Sequence, residues 1–184
     1  MNSIELFYFI SEFNKSEILT INKKINIIYR NYKTPPNEDT IKKILHTCKK
    51  VGRKLFLSNN LPLALKMKLD GIYIPSFNKS IEFKKKLNKN FRVLGSAHNL
   101  SEIRNKEKQG VDTIFLAPVF KTQKKTANLG INKFNLLAKL TNKKIIALGG
   151  INKNNIKSIK LVNCEGYAGI TYFKNKEKIY DFRK

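Results

Sequence analysis

The sequence predicts an α/β chain folded as one (β/α)₈ TIM barrel, compact, with some helices short or missing. Three observations lead there. Eight short β-rich runs recur along the chain, each followed by a polar, Lys-rich stretch of helical composition. The runs have continuous apolar cores (IFLAP, IIALGG, LFLS), as a strand buried on both faces requires, where a half-exposed strand would alternate. No linker or shift in composition interrupts the series, so residues 1–184 read as a single domain.

In order, the predicted strands are Leu6–Ile10, Ile25–Arg30, Lys54–Ser58, Gly71–Ile74, Phe91–Ser96, Thr113–Ala117, Lys144–Gly149 and Gly166–Thr171. Ser101–Gly110 reads as a helix closed by a glycine C-cap. In Lys153–Val162, apolar residues at 156, 159 and 162 also read as helical. The 184 residues are few for such a barrel, so the helices after the first and third strands are expected to be very short or absent. An open doubly wound sheet is the competing architecture.

Composition narrows the function. Apolar residues make up 41% of the chain, enough for a packed core. No apolar run reaches the roughly 20 residues that cross a bilayer. The start, MNSIELFYFISEF, carries Glu5 and lacks a signal peptide's basic opening. Cys48 and Cys164 are too few for a disulfide framework, and neither sits in a zinc-binding spacing. The expected location is the reducing cytoplasm, with no membrane partner. The net charge of +24, from 37 Lys and Arg against 13 Asp and Glu, raises nucleic acid as a partner. Yet the chain carries no nucleic-acid motif, and Lys and Asn are residues an AT-rich genome favours.

In a barrel of this kind, chemistry collects where strands end. Those positions carry small polar and cationic groups: Ser11 and Glu12, Arg30 to Lys33, Ser58 to Asn60, Pro75, Ser76 and Asn78, Ser96 to His98, the loop Lys121–Thr126, Gly149 and Gly150, and Thr171. Glu12 is the one carboxylate in this ring. ALGGIN, Ala147–Asn152, is a strand ending in two glycines before an expected helix start, an arrangement suited to a phosphate. A tight β–α turn would use the same residues. Lys121, Thr122, Lys124, Lys125 and Thr126 add ammonium and hydroxyl groups, and Arg30 adds a bidentate fork. Two anion subsites follow, one at Gly149 and Gly150, the other at Arg30 and the basic loop. His98 in GSAHN is placed either to move protons or to cap the next helix. His46 reads as structural.

At these residues the chain resembles the thiamine-phosphate synthase/TenI superfamily over nearly its whole length. FYFISE is similar to that family's first strand with its Y-x-I-T-D ending, and IIYRNYK to V-Q-L-R-x-K. LFLSNNLPLALKMKLDGIYIPSFN resembles I-I-N-D-x-x-D-L-A-L-x-x-G-A-D-G-V-H-L-G-Q-x-D. LGSAHNLSEI resembles G-V-S-A-H-T-x-x-E; FLAPVFKTQKKTANLGI resembles the G-P-V-F-x-T-x-T-K loop and its following L-G; IIALGGIN resembles V-A-I-G-G-I. The last three are specific in combination and occur in the family's order.

The resemblance implies a (β/α)₈ barrel and an enzyme that joins hydroxymethylpyrimidine diphosphate to thiazole phosphate with loss of pyrophosphate, Mg²⁺ bridging the diphosphate. It implies small phosphate and diphosphate substrates as partners. Arg30, Ser96, Thr122 and Lys125 would hold the diphosphate, with Arg30, Lys125 and Ser96 as the catalytic set. Gly149, Gly150 and Thr171 would hold the thiazole phosphate. Tyr32, Lys33, Ser58, Asn59, Asn78, His98 and Lys124 complete the substrate-binding ring. There are departures. The family's N-D is Ser58–Asn59, and the aspartate of H-L-G-Q-x-D is Asn78, so both Mg²⁺ carboxylates are amides and no metal ligand is assigned. Tyr32 stands at the family's second-strand Lys, with Lys33 adjacent; Lys124 stands at the loop's second Thr; Ala117 stands where the tautomerase branch often has His. A TenI-like isomerase, or a catalytically altered phosphate-ligand binding protein, is therefore the alternative reading. A nucleic-acid-associated basic protein is a third.

Overall fold

The computed structural model describes residues 4–81, 87–122, 127–174 and 179–183. Eight parallel strands close into a barrel in chain order. They are β1 (Glu5–Ile10), β2 (Ile25–Tyr29), β3 (Leu55–Ser58), β4 (Gly71–Ile74), β5 (Arg92–Ala97), β6 (Thr113–Leu116), β7 (Lys144–Leu148) and β8 (Gly166–Gly169). Closure comes from β8 pairing with β1, with Glu5 opposite Gly166 and Tyr8 opposite Gly169. The open-sheet alternative is excluded. The predicted strands match within two residues at each end. The largest difference is at β8, which stops at Gly169, so Thr171 starts a helix and does not end a strand.

Continuous apolar runs fill two cores. Inside the barrel, Phe7, Phe9, Ile28, Phe56, Tyr73, Leu94, Phe115, Ile146 and Ala168 form a plug. Aromatic rings dominate it, meeting edge to face: Phe7–Phe115 at 4.9 Å, Phe9–Tyr73 at 5.1 Å and Tyr73–Phe115 at 5.4 Å between centroids. Outside, the other face of each strand packs beneath the helices, with Leu6, Ile27, Ile44, Ile72, Ile103, Ile114 and Phe134 buried there. Residues alternating along one strand thus serve both cores.

The helices are α1 (Lys15–Thr20), α2 (Glu38–Lys50), α3 (Leu61–Lys66), α4 (Leu100–Lys108), α5 (Gly130–Lys139) and α6 (Thr171–Lys174). Those after the first and third strands have six residues each, as a barrel from so short a chain requires. Asn14, Asn37, Asn60 and Asn99 cap α1 to α4, each side chain accepting from a first-turn N–H. Ser101–Gly110 is realised as α4 with Gly110 just past its end at φ +74°. Lys153–Val162 departs from expectation: it forms a turn and a 3₁₀ helix, Ile156–Leu161. Its apolar residues recur every third position, and three residues per turn is the 3₁₀ period.

Candidate active site

The C-terminal mouth of the barrel gathers the strand-end residues. On β2, the backbone N–H of Arg30 donates to Ile10 O at 2.8 Å, extending the β1–β2 ladder by one step. That step places the guanidinium at the mouth, 4.6 Å from the centroid of Phe9 and 5.8 Å from that of Tyr32. Stacked between rings, the fork is held at low entropic cost. Beneath it, the Tyr73 ring meets Phe9 edge to face, and burial pushes its phenol up to about 12, against the opposing pull of Ser96 and the Arg30 charge. The phenol is thus neutral at physiological pH. Tyr32 and Ser58 hydroxyls lie 3.1 Å apart, linking β2 to β3. Burial raises Tyr32 as well, against its Ser58 hydrogen bond and the Arg30 charge. Arg30, Tyr32 and Ser58 are therefore one connected group, resting through Phe9 on Tyr73. Ser58 and Ser96 are buried, while Tyr32 is 53% exposed. Lys33 is exposed on the same loop as Tyr32.

Sequence reasoning passed over Tyr73 because it lies within an apolar run. Its signal was alignment with the His of the family's G-V-H-L. Asn59 sits at φ +60°, a left-handed conformation that Asn adopts more readily than most residues. This turns its side chain to Asn78, whose Nδ2 donates to Asn59 Oδ1 at 2.7 Å. Asn78 Oδ1 in turn accepts from Ser80 N at 2.8 Å.

On the far side of the mouth, Gly149 and Gly150 adopt φ +95° and +73°. The loop leaving β6 crosses them: a Cβ on Gly149 would lie 2.7 Å from Pro118 Cβ, and one on Gly150 would lie 2.4 Å from the carbonyl oxygens of Phe120 and Lys121. Val119 N and Phe120 N donate to Leu148 O and Gly149 O. The glycines thus admit the backbone of Pro118–Lys121, and this brings the Lys121 carbonyl against the Gly149–Gly150 turn. Thr122 follows at the edge of the described residues; Lys124 and Lys125 lie outside them. The expected supply of N–H groups beyond the glycines is partly consumed. Asn152 N donates to Asn155 Oδ1, and Asn154 N and Asn155 N donate to Asn152 Oδ1. Thr171 is exposed at the first residue of α6.

His98 belongs to the start of α4. Its Nδ1 and backbone N–H both donate to Glu102 Oε2 at 2.8 Å, while Asn99 Oδ1 accepts from Glu102 N. This resembles a capping box, with the Glu102 carboxylate reaching the N–H of the residue before the N-cap. His46 is exposed on α2. Glu12 lines a separate cleft of about 490 Å³ between the loops after β1 and β2. A cleft of about 710 Å³ opens at the opposite end of the barrel, among Arg92, Thr113 and Lys144 at strand starts. It shares none of the mouth residues.

Fold and mouth together define a (β/α)₈ barrel protein with a cation and hydroxyl groups at its C-terminal end. The chain belongs to the thiamine monophosphate synthase family, whose model matches residues 17–173. It is 31% identical over 175 residues to a thiamine-phosphate synthase of Prochlorococcus marinus, a match covering 92% of this chain and 51% of the relative. It is 29% identical over 126 residues to one of Methanococcus maripaludis, covering 67% of this chain and 61% of that one. The chain thus spans about half the length of the first relative and under two thirds of the second. A thiamine phosphate pyrophosphorylase structure from Pyrococcus furiosus superposes with a TM-score of 0.73 at 20% identity, covering 94% of this chain and 92% of that one. The superposition is evidence for the shared fold.

The donors do not fit a resident Mg²⁺. This hard cation selects anionic carboxylate oxygen. The two candidate positions offer neutral amides, and both amide oxygens already accept hydrogen bonds. Among the described residues, no group of three or more His, Cys, Asp or Glu could hold a metal.

Proposed function

We propose that this chain is a divergent thiamine-phosphate synthase, joining hydroxymethylpyrimidine diphosphate to thiazole phosphate with release of pyrophosphate. The observation that carries the reading is the linked group Arg30–Tyr32–Ser58 at the mouth, in a chain of this family. In the reaction, the C–O bond between the pyrimidine methylene and the diphosphate breaks, and its electron pair leaves with pyrophosphate. The cationic methylene left behind is captured by the thiazole nitrogen lone pair, forming the C–N bond. Negative charge grows on the departing oxygen, and fixed cations lower the barrier by meeting it there. Arg30, held between Phe9 and Tyr32, is one such cation. Lys121, whose backbone carbonyl abuts the Gly149–Gly150 turn, is assigned as another. Ser58 and Ser96 supply hydroxyl donors. No step is assigned to a metal.

The Asn59–Asn78 pair favours a second reading, a phosphate-ligand binding protein or isomerase of the same fold that has lost pyrophosphate chemistry. Incubating the purified chain with both substrates and following pyrophosphate release separates the two. Turnover supports the synthase. Binding of thiazole phosphate without pyrophosphate release supports the second reading and overturns the first. Rescue of a synthase-deficient strain tests the same point in cells.

A further inference from the structure

Lys106 lies in α4, fully buried at 0% exposure. Its ammonium donates to Pro75 O at 2.8 Å, Asn78 O at 2.9 Å and Gln109 Oε1 at 2.8 Å. An ammonium has three N–H donors, so these bonds fill its capacity. Gln109, 1% exposed, reaches the same segment: its Nε2 donates to Asn78 O at 2.9 Å and Ser80 O at 2.7 Å. The loop after β4 is therefore tied down by α4, a helix of the next β/α unit. Gly95 on β5 makes room for this reach, since a Cβ there would come within 2.8 Å of Lys106 Cδ.

The loop's own groups do not need the lysine. Pro75 O also accepts from Asn78 N at 3.1 Å, and Asn78 O keeps the Gln109 amide. What the ammonium adds is the position of the loop relative to the barrel. Two of the loop's residues touch the mouth. Asn78 donates to Asn59, and the Phe77 ring meets the Tyr32 ring edge-on at 5.6 Å. A charge taken out of water is costly unless fully paired, and this one is spent where the loop meets the site.

The geometry points to Lys106 and Gln109 as positioning residues that hold the loop after β4 at the mouth, fixing Asn78 beside Asn59 and Phe77 against Tyr32 by an internal ammonium rather than a divalent ion. The clamp itself stands whatever the chain turns over; its effect on diphosphate binding rests on the proposed function.

Two measurements test it in the intact chain, on wild type, Lys106→Met and Gln109→Leu. The first is amide hydrogen exchange of residues 75–80, compared with strand segments. Each substitution is expected to speed exchange in the loop by about tenfold, the equivalent of one lost charge-assisted hydrogen bond, while the strands keep their protection. Unchanged loop exchange in both variants, or equal acceleration of loop and strands, overturns the clamp. The second is affinity for inorganic pyrophosphate by calorimetry, expected to fall roughly three- to tenfold with the loosened loop. A loosened loop with unaltered pyrophosphate affinity overturns the link to the site. If wild type binds no pyrophosphate, the proposed function fails, and the exchange data still decide the clamp.

Discussion

Arg30 is the residue on which the mouth converges. It lies over the Phe9 and Tyr32 rings. Replacing it with Met is expected to lower turnover, or phosphate-ligand affinity if turnover is absent, by about 10²-fold, as for loss of one preorganised charge donor. Arg30→Lys should recover only part, since an ammonium lacks the planar fork that stacks and binds in two places. Lys106 makes a pH prediction. Burial lowers its pKa from 10.5 to about 8, with Glu102 on the same helix opposing. The unfolded chain then holds a proton that the folded chain has released between about pH 8 and 10.5. Stability from this group therefore rises with pH across that window and is lowest below it. Urea unfolding of wild type and Lys106→Met at pH 7 and 9.5 checks this: wild type should gain on the variant at the higher pH. Over the same range the neutral amine has one fewer N–H to donate, so the loop after β4 should loosen even as the barrel gains stability. Lys106 was hidden in the sequence because LSEIRNKEK reads as a charged, solvated helix. Its signal is its spacing, three residues past buried Ile103 and so on the buried face. Arg30, Ser58 and Ser96 were legible because strand ends in a barrel point to its mouth.

At the level of elements, the turn after β7 combines a close backbone approach with a left-handed conformation. A Cβ on Gly150 would press on two carbonyl oxygens at 2.4 Å with the backbone at φ +73°. Gly150→Ala should cost about 2–4 kcal/mol, combining left-handed strain with overpacking. Chemical denaturation measures it, and a loss under about 0.5 kcal/mol would show that the β6 loop yields freely. Arg53 constrains the other end. Buried at 4%, it donates to the carbonyls of Ile18, Ile21, Asn22 and Ile25, fastening the end of α1 to β2. Arg53→Met should destabilise by roughly 3 kcal/mol, because several carbonyls lose a charged donor at once. Strands were legible because burial on both faces leaves continuous apolar runs. The segment after β7 was misjudged because a three-residue spacing suits α and 3₁₀ helices alike over two turns. The four Asn caps passed for compositional drift, though each satisfies an N–H at a helix start.

For the whole molecule, the barrel brings β2 to β5 together on one side of the mouth and Pro118–Lys121 with the glycines after β7 on the other. The described charge of the mouth is protein cation rather than metal-binding carboxylate, and the proposed function has it take two phosphorylated ligands. The +24 net charge adds a background potential that attracts anions at low salt. Among the described residues, no helix is long and apolar enough to cross a membrane. The central claim is a family site that works without a resident Mg²⁺. Its most direct test is pyrophosphate release from both substrates by the purified chain, with and without EDTA, in wild type and Arg30→Met. The account predicts turnover that EDTA changes by less than about threefold and that Arg30→Met lowers about 10²-fold. Turnover abolished by EDTA and restored by Mg²⁺ would contradict it.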